Sequence, residues 1–76
     1  MHDIQRKQAE IMRFQNRINQ IQHTTDRDVI RQLAYQMSSA GLLPRSTMSL
    51  LSMIIIFSPG MAMNMLRSAL NRATRL

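Results

Sequence analysis

Residues 46–66 are the feature that most constrains the fold, because these 21 residues carry no charge and lie between Arg45 and Arg67. A helix of about 20 apolar residues is long enough to cross the hydrocarbon core of a membrane. The mean hydropathy of residues 48–66, roughly 1.6, lies at the borderline for such spans. Pro59 and Gly60 interrupt the run. The sequence therefore allows either one kinked membrane span or two short helices folded back at residues 58–60.

The length of the chain limits how much core it can build. A chain of 76 residues forms one small domain at most, and it buries only about 60% of the surface that its unfolded form exposes. It contains no cysteine, so neither a disulfide nor a thiolate-bound zinc ion can stabilise it. We therefore expect the fold to be supported by a lipid bilayer, by self-association or by a larger complex.

The charge is unevenly distributed along the chain. The formal net charge is +6, and no carboxylate side chain follows Asp28. Residues 46–76 are thus apolar and purely cationic, a combination that suits an anionic membrane surface, nucleic acid or an acidic protein partner. The polar N-terminus has no apolar core of the kind that signal peptides contain, so we expect no cleavable signal peptide.

Residues 1–43 predict a polar, amphipathic helical hairpin within an all-α fold. Apolar side chains in the first helix recur at spacings of three, four and seven, which places them on one face. Thr25 and Asp28 have the spacing of a capping box for a second helix, which Gly41 and Pro44 should end. Because short loops join antiparallel helices, we expect these two helices to pack together. The predicted packing residues are Ile4, Ile11, Phe14, Ile18 and Ile21 in the first helix and Val29, Leu33 and Met37 in the second.

The C-terminal half predicts two further helices. The third, capped by Ser46 or Thr47 and ending at Phe57, is apolar on every side, which is typical of a helix buried in protein or in lipid. Ser58 and Pro59 suit the cap and the first position of a fourth, cationic amphipathic helix. We expect a membrane or a partner chain to contact Leu50, Leu51, Met53, Ile54, Ile55, Ile56, Phe57, Met61 and Met65, and anions to contact Arg67, Arg72 and Arg75.

The sequence contains no motif that indicates catalysis or ligand binding. His2 and His23 are too far apart to share a helix face, and the chain lacks both a Ser/His/Asp spacing and a glycine-rich phosphate loop. We therefore expect no enzymatic activity, no small-molecule substrate, no cofactor and no metal. A helix-turn-helix motif is excluded, since Pro44 lies in the turn and the apolar helix that follows has no side chain that reads a base.

Three functional hypotheses follow. The first is a non-enzymatic structural or accessory subunit of a larger assembly, anchored by its apolar C-terminal half to a membrane or to partner chains, with the membrane favoured. The second is a soluble helical bundle that self-associates through the isoleucine stripe of the first helix and through residues 50–57. The third is a basic nucleic-acid-binding accessory protein whose arginines contact phosphates.

Overall fold

The protein is all-α in a computed structural model that describes the backbone of residues 2–74 and the side chains of residues 4–74. The described residues form no β-strand. The predicted all-α fold is therefore confirmed, with two helices in each half of the chain. The helices are α1 (His2–Ile21), α2 (Arg27–Ser39), α3 (Arg45–Phe57) and α4 (Pro59–Ala73).

The residue that caps α2 is Asp26, one position after the predicted cap, Thr25. The Asp26 carboxylate accepts hydrogen bonds from the backbone N–H groups of Asp28 at 3.0 Å and of Val29 at 3.5 Å. The prediction of Thr25 as the cap is therefore wrong by one position. An aspartate is the better cap at this point, since its negative charge also interacts favourably with the positive end of the helix dipole.

The end of α2 has the predicted glycine-dependent geometry. Gly41 has a φ of +78°, in the left-handed region that glycine adopts without a steric cost. Its N–H donates to the Ser38 carbonyl at 3.0 Å, and the N–H of Leu42 donates to the Met37 carbonyl at 2.9 Å. These two bonds are those of a Schellman motif. They turn the chain so that Leu42 is buried against the core.

Pro44 and Ser58 mark the starts of α3 and α4. The Pro44 carbonyl accepts the first helical hydrogen bond of α3, from the N–H of Met48 at 3.0 Å, and no side chain caps this helix. The prediction that Ser46 or Thr47 caps α3 is therefore wrong, because the helix has already begun before them. The prediction for α4 is confirmed, since the Ser58 hydroxyl accepts the N–H of Met61 at 3.4 Å.

The uncharged run of residues 46–66 is thus divided between two helices that pack against each other. At 13 residues, α3 is about 20 Å long. Within the part of the chain that the structure describes, no helix is both long enough and apolar enough to cross a membrane.

One core joins the two halves of the chain. Its buried side chains come from all four helices and from the connection between α2 and α3, so residues 4–43 and residues 46–74 stabilise each other. No described polar or charged residue is buried among them. The core consists of Ile11, Ile18, Ile30, Leu33, Ala34, Met37, Leu42, Leu43, Leu51, Ile55, Ala62, Met63, Leu66 and Leu70.

The main partner of α1 is α4, whereas α2 packs against α3 and α4. The predicted contact of α1 with α2 is therefore not the main contact of α1. An open groove of about 400 Å³ separates these two helices where Phe14, Val29 and Leu33 line its walls. In the predicted isoleucine stripe, Ile11 and Ile18 are buried, but Ile4 is 64% exposed.

Candidate interaction surface

The two sides of α3 have the same chemistry and opposite exposure. Leu51 and Ile55 are buried in the core, at 0% and 1% exposure. On the opposite side, four large apolar side chains of α3 are exposed, and one from the first turn of α4 joins them. We call this set the α3 face. Its members are Leu50, Met53, Ile56, Phe57 and Met61, which are 50–80% exposed.

The α3 face is large for a chain of this size. The exposed fractions of its five residues correspond to about 600 Å² of surface, at the upper end of the roughly 300–600 Å² that the largest apolar patch of a monomeric protein covers. Phe57 contributes most, because 80% of its surface is exposed. Patches of this size mark contacts with other molecules more often than isolated exposed side chains do.

Arg27 fixes the C-terminal end of the α3 face. Its Nε donates to the Ile55 carbonyl at 3.2 Å, and its Nη2 donates to the Ile56 carbonyl at 3.1 Å. A cation at this position interacts favourably with the negative end of the helix dipole and satisfies carbonyls that have no partner within the helix. The contact also brings the start of α2, with the carboxylates of Asp26 and Asp28, to this end of α3. Arg45 occupies the opposite end.

The nine residues predicted to contact a membrane or a partner divide into three groups. Leu51 and Ile55 belong to the core and cannot contact a second molecule in this fold, which corrects the prediction for both. Ile54 and Met65 are half-buried and pack against the core. The remaining five residues form the α3 face. The sequence could not separate these groups, because every position of α3 from 50 to 57 except Ser52 is apolar.

The arginines predicted to contact an anion do not share one described site. Arg67 is half-buried and lines a depression of about 230 Å³ with Gln15 and Asn19 of α1. Arg72 is exposed and lines a different groove, together with Lys7. Arg75 lies outside the described residues. Arg67 and Arg72 therefore line two separate depressions along α4.

The groove beside Arg72 runs between α4 and the connection from α2 to α3 and has a volume of about 500 Å³. Its apolar lining includes Leu43 and Met65, and Lys7 and Arg72 are its two cationic residues. The sequence reasoning missed Lys7 as a neighbour of α4, because no local pattern shows that α1 crosses that helix. No group of three or more described His, Asp or Glu side chains is arranged to hold a metal ion.

Comparison of the chain with models of protein families, with curated proteins and with solved structures finds no match.

Proposed function

We propose that this chain is a non-enzymatic helical subunit that joins another protein chain through the α3 face. The observation that carries the proposal is the exposure of five large apolar side chains, four of them on α3, with Phe57 at 80%. The same helix buries Leu51 and Ile55 completely, so its exposed side is not a consequence of a poorly packed helix.

The α3 face provides a hydrophobic driving force for association. Covering about 600 Å² of apolar surface contributes on the order of 15 kcal/mol at about 25 cal/mol per Å². Association costs roughly 4–15 kcal/mol of translational and rotational freedom, and the ordering of side chains adds to this cost. The α3 face carries no charged side chain, so a partner can exclude water from it without burying a charge.

The surroundings of the arginines give less support to nucleic-acid binding. A chain that follows a phosphate backbone needs several cations along one path. Arg67 and Arg72 line separate depressions on α4, and Arg67 is half-buried beside α1. The α3 face itself carries no charged side chain, so a phosphate backbone gains nothing from it.

Site-directed photo-crosslinking in living cells tests the proposal. A photoreactive phenylalanine analogue replaces Met53 in the α3 face, and the matched control replaces Met12 of α1, because these methionines are 58% and 62% exposed. We expect one protein adduct of defined mass at position 53 that excess unlabelled chain competes away and that position 12 does not form. Equal adducts at both positions would contradict the proposal. Adducts with lipid alone would replace it with a membrane-surface function.

A further inference from the structure

Building on the proposed function, we infer that the partner of the α3 face is a second copy of this chain. The two α3 helices lie antiparallel across a two-fold axis that passes close to Met53. In this arrangement each copy contributes the same surface, as in most soluble homodimers.

The area of the α3 face fits this partner. Two copies of a face of about 600 Å² together bury about 1,200 Å², which reaches the lower end of the range for stable, specific interfaces. The contact is helix against helix, with apolar side chains on both sides and no charge to desolvate.

The spacing of the face residues matches an antiparallel helix pair. Leu50, Met53 and Phe57 follow one another at intervals of three and four, which forms one stripe along the helix. Met53 lies near the middle of the stripe, so in an antiparallel pair it faces Met53 of the second copy. Leu50 of each copy then packs against Phe57 of the other. A flexible methionine at the axis adapts to its own copy more easily than a branched side chain would.

The charges at the two ends of α3 favour the antiparallel direction. Arg45 is the first residue of α3, and the negative end of the helix dipole is at Phe57. The antiparallel pair opposes the dipoles of the two α3 helices and keeps the two Arg45 side chains apart. At the other end of each α3, Arg27, Asp26 and the Asp28–Arg31 ion pair together carry no net charge. A parallel pair would instead place the two Arg45 side chains next to each other.

The salt dependence of binding distinguishes a second copy of the chain from an acidic protein as the partner. Two copies with a net charge of +6 each repel at low ionic strength, and salt screens this repulsion as the Debye length falls from about 30 Å at 0.01 M to about 8 Å at 0.15 M. We therefore expect the dimer to bind on the order of tenfold more tightly at 0.15 M than at 0.01 M salt. A complex with an acidic protein would weaken over the same range.

Cysteine crosslinking of the full chain tests the geometry, because the natural sequence contains no cysteine. Under mild oxidation we expect Met53→Cys to form a disulfide-linked dimer and the control Met12→Cys to remain monomeric. Leu50→Cys and Phe57→Cys should crosslink when mixed and much less when each is alone. Crosslinking of each variant with itself, without the mixed product, would overturn the antiparallel arrangement.

Light scattering of the unmodified chain provides a measurement that no substitution can disturb. We expect a mass of twice 8.8 kDa that dissociates on dilution and persists better at 0.15 M than at 0.01 M salt. A monomer at every salt concentration overturns the inference. If position 53 nevertheless crosslinks to a different protein in cells, the proposed function stands and only the identity of the partner is wrong; if position 53 gives no protein adduct either, both fail.

Discussion

Replacing Gly41 by alanine isolates the energetic cost of a left-handed backbone at the end of α2. The φ of Gly41 is +78°, and a Cβ built at this position meets no heavy atom within 4 Å. The substitution therefore creates no clash, and its effect comes from conformation alone. A left-handed residue with a side chain costs about 1–2 kcal/mol, so we expect Gly41→Ala to lower the free energy of unfolding by about 1 kcal/mol.

Gly60 supplies the matched control for this prediction. It lies in the first turn of α4 without a left-handed φ, and a Cβ there also meets no heavy atom within 4 Å. Alanine restricts the unfolded chain and favours the helix, so Gly60→Ala should raise the free energy of unfolding by about 0.5 kcal/mol. The same chemical change is thus expected to have opposite signs at the two glycines.

Thermal unfolding followed by circular dichroism measures both variants. For a domain of 60–100 residues, about 1 kcal/mol shifts Tm by roughly 4–8 °C. We therefore expect Gly41→Ala to lower Tm by roughly 4–8 °C and Gly60→Ala to raise it by about half as much. All samples need the same protein concentration, since association raises the apparent stability. Equal shifts of the same sign would refute the assignment of Gly41 to a left-handed cap.

Three further predictions concern the packing and the caps, and each is tested by urea unfolding at a protein concentration low enough for the chain to be monomeric. Leu51→Ala should cost about 3 kcal/mol because Leu51 is fully buried, whereas Leu50→Ala should cost less than about 1 kcal/mol at 50% exposure; similar losses would contradict the assignment of the two sides of α3. Asp26→Ala should lower the free energy of unfolding by about 1 kcal/mol, because it removes the N-cap of α2. A larger decrease for Thr25→Ala would show that Thr25, and not Asp26, caps the helix. Arg27→Gln should cost roughly 0.5–1 kcal/mol by freeing two carbonyls of α3, and no change would show that this contact does not hold in solution.

The helices and most of their ends could be predicted from the sequence because they depend on local chemistry. The left-handed residue Gly41 and the Ser58–Pro59 start of α4 are set by groups within a few residues of each other. The capping error at Thr25 and Asp26 has the same origin, since both residue types cap helices and only their backbone geometry distinguishes them.

The arrangement of the helices could not be predicted, because it depends on contacts between distant residues. The stripe of α1 shows that Ile11 and Ile18 are buried, but periodicity does not indicate whether α2 or α4 covers them. In α3, periodicity does not even indicate which side of the helix is buried. Leu50 and Leu51 are adjacent and identical in type, and only the positions of α2 and α4 make one exposed and the other buried. For this reason the α3 face is a property of the tertiary structure.

The packing of α1 against α4 has a consequence for synthesis of the chain. Ile18 leaves the ribosome 52 residues before Leu70, since 70 − 18 = 52, and at about 5–20 residues per second this interval lasts roughly 3–10 s. During that time the buried side chains of α1 lack the helix that covers them in the native fold. The buried side chains of α1 therefore wait longer for α4 than those of α2 or α3 do, and the rate of translation from residue 18 to residue 70 determines how long Ile11 and Ile18 lack this cover.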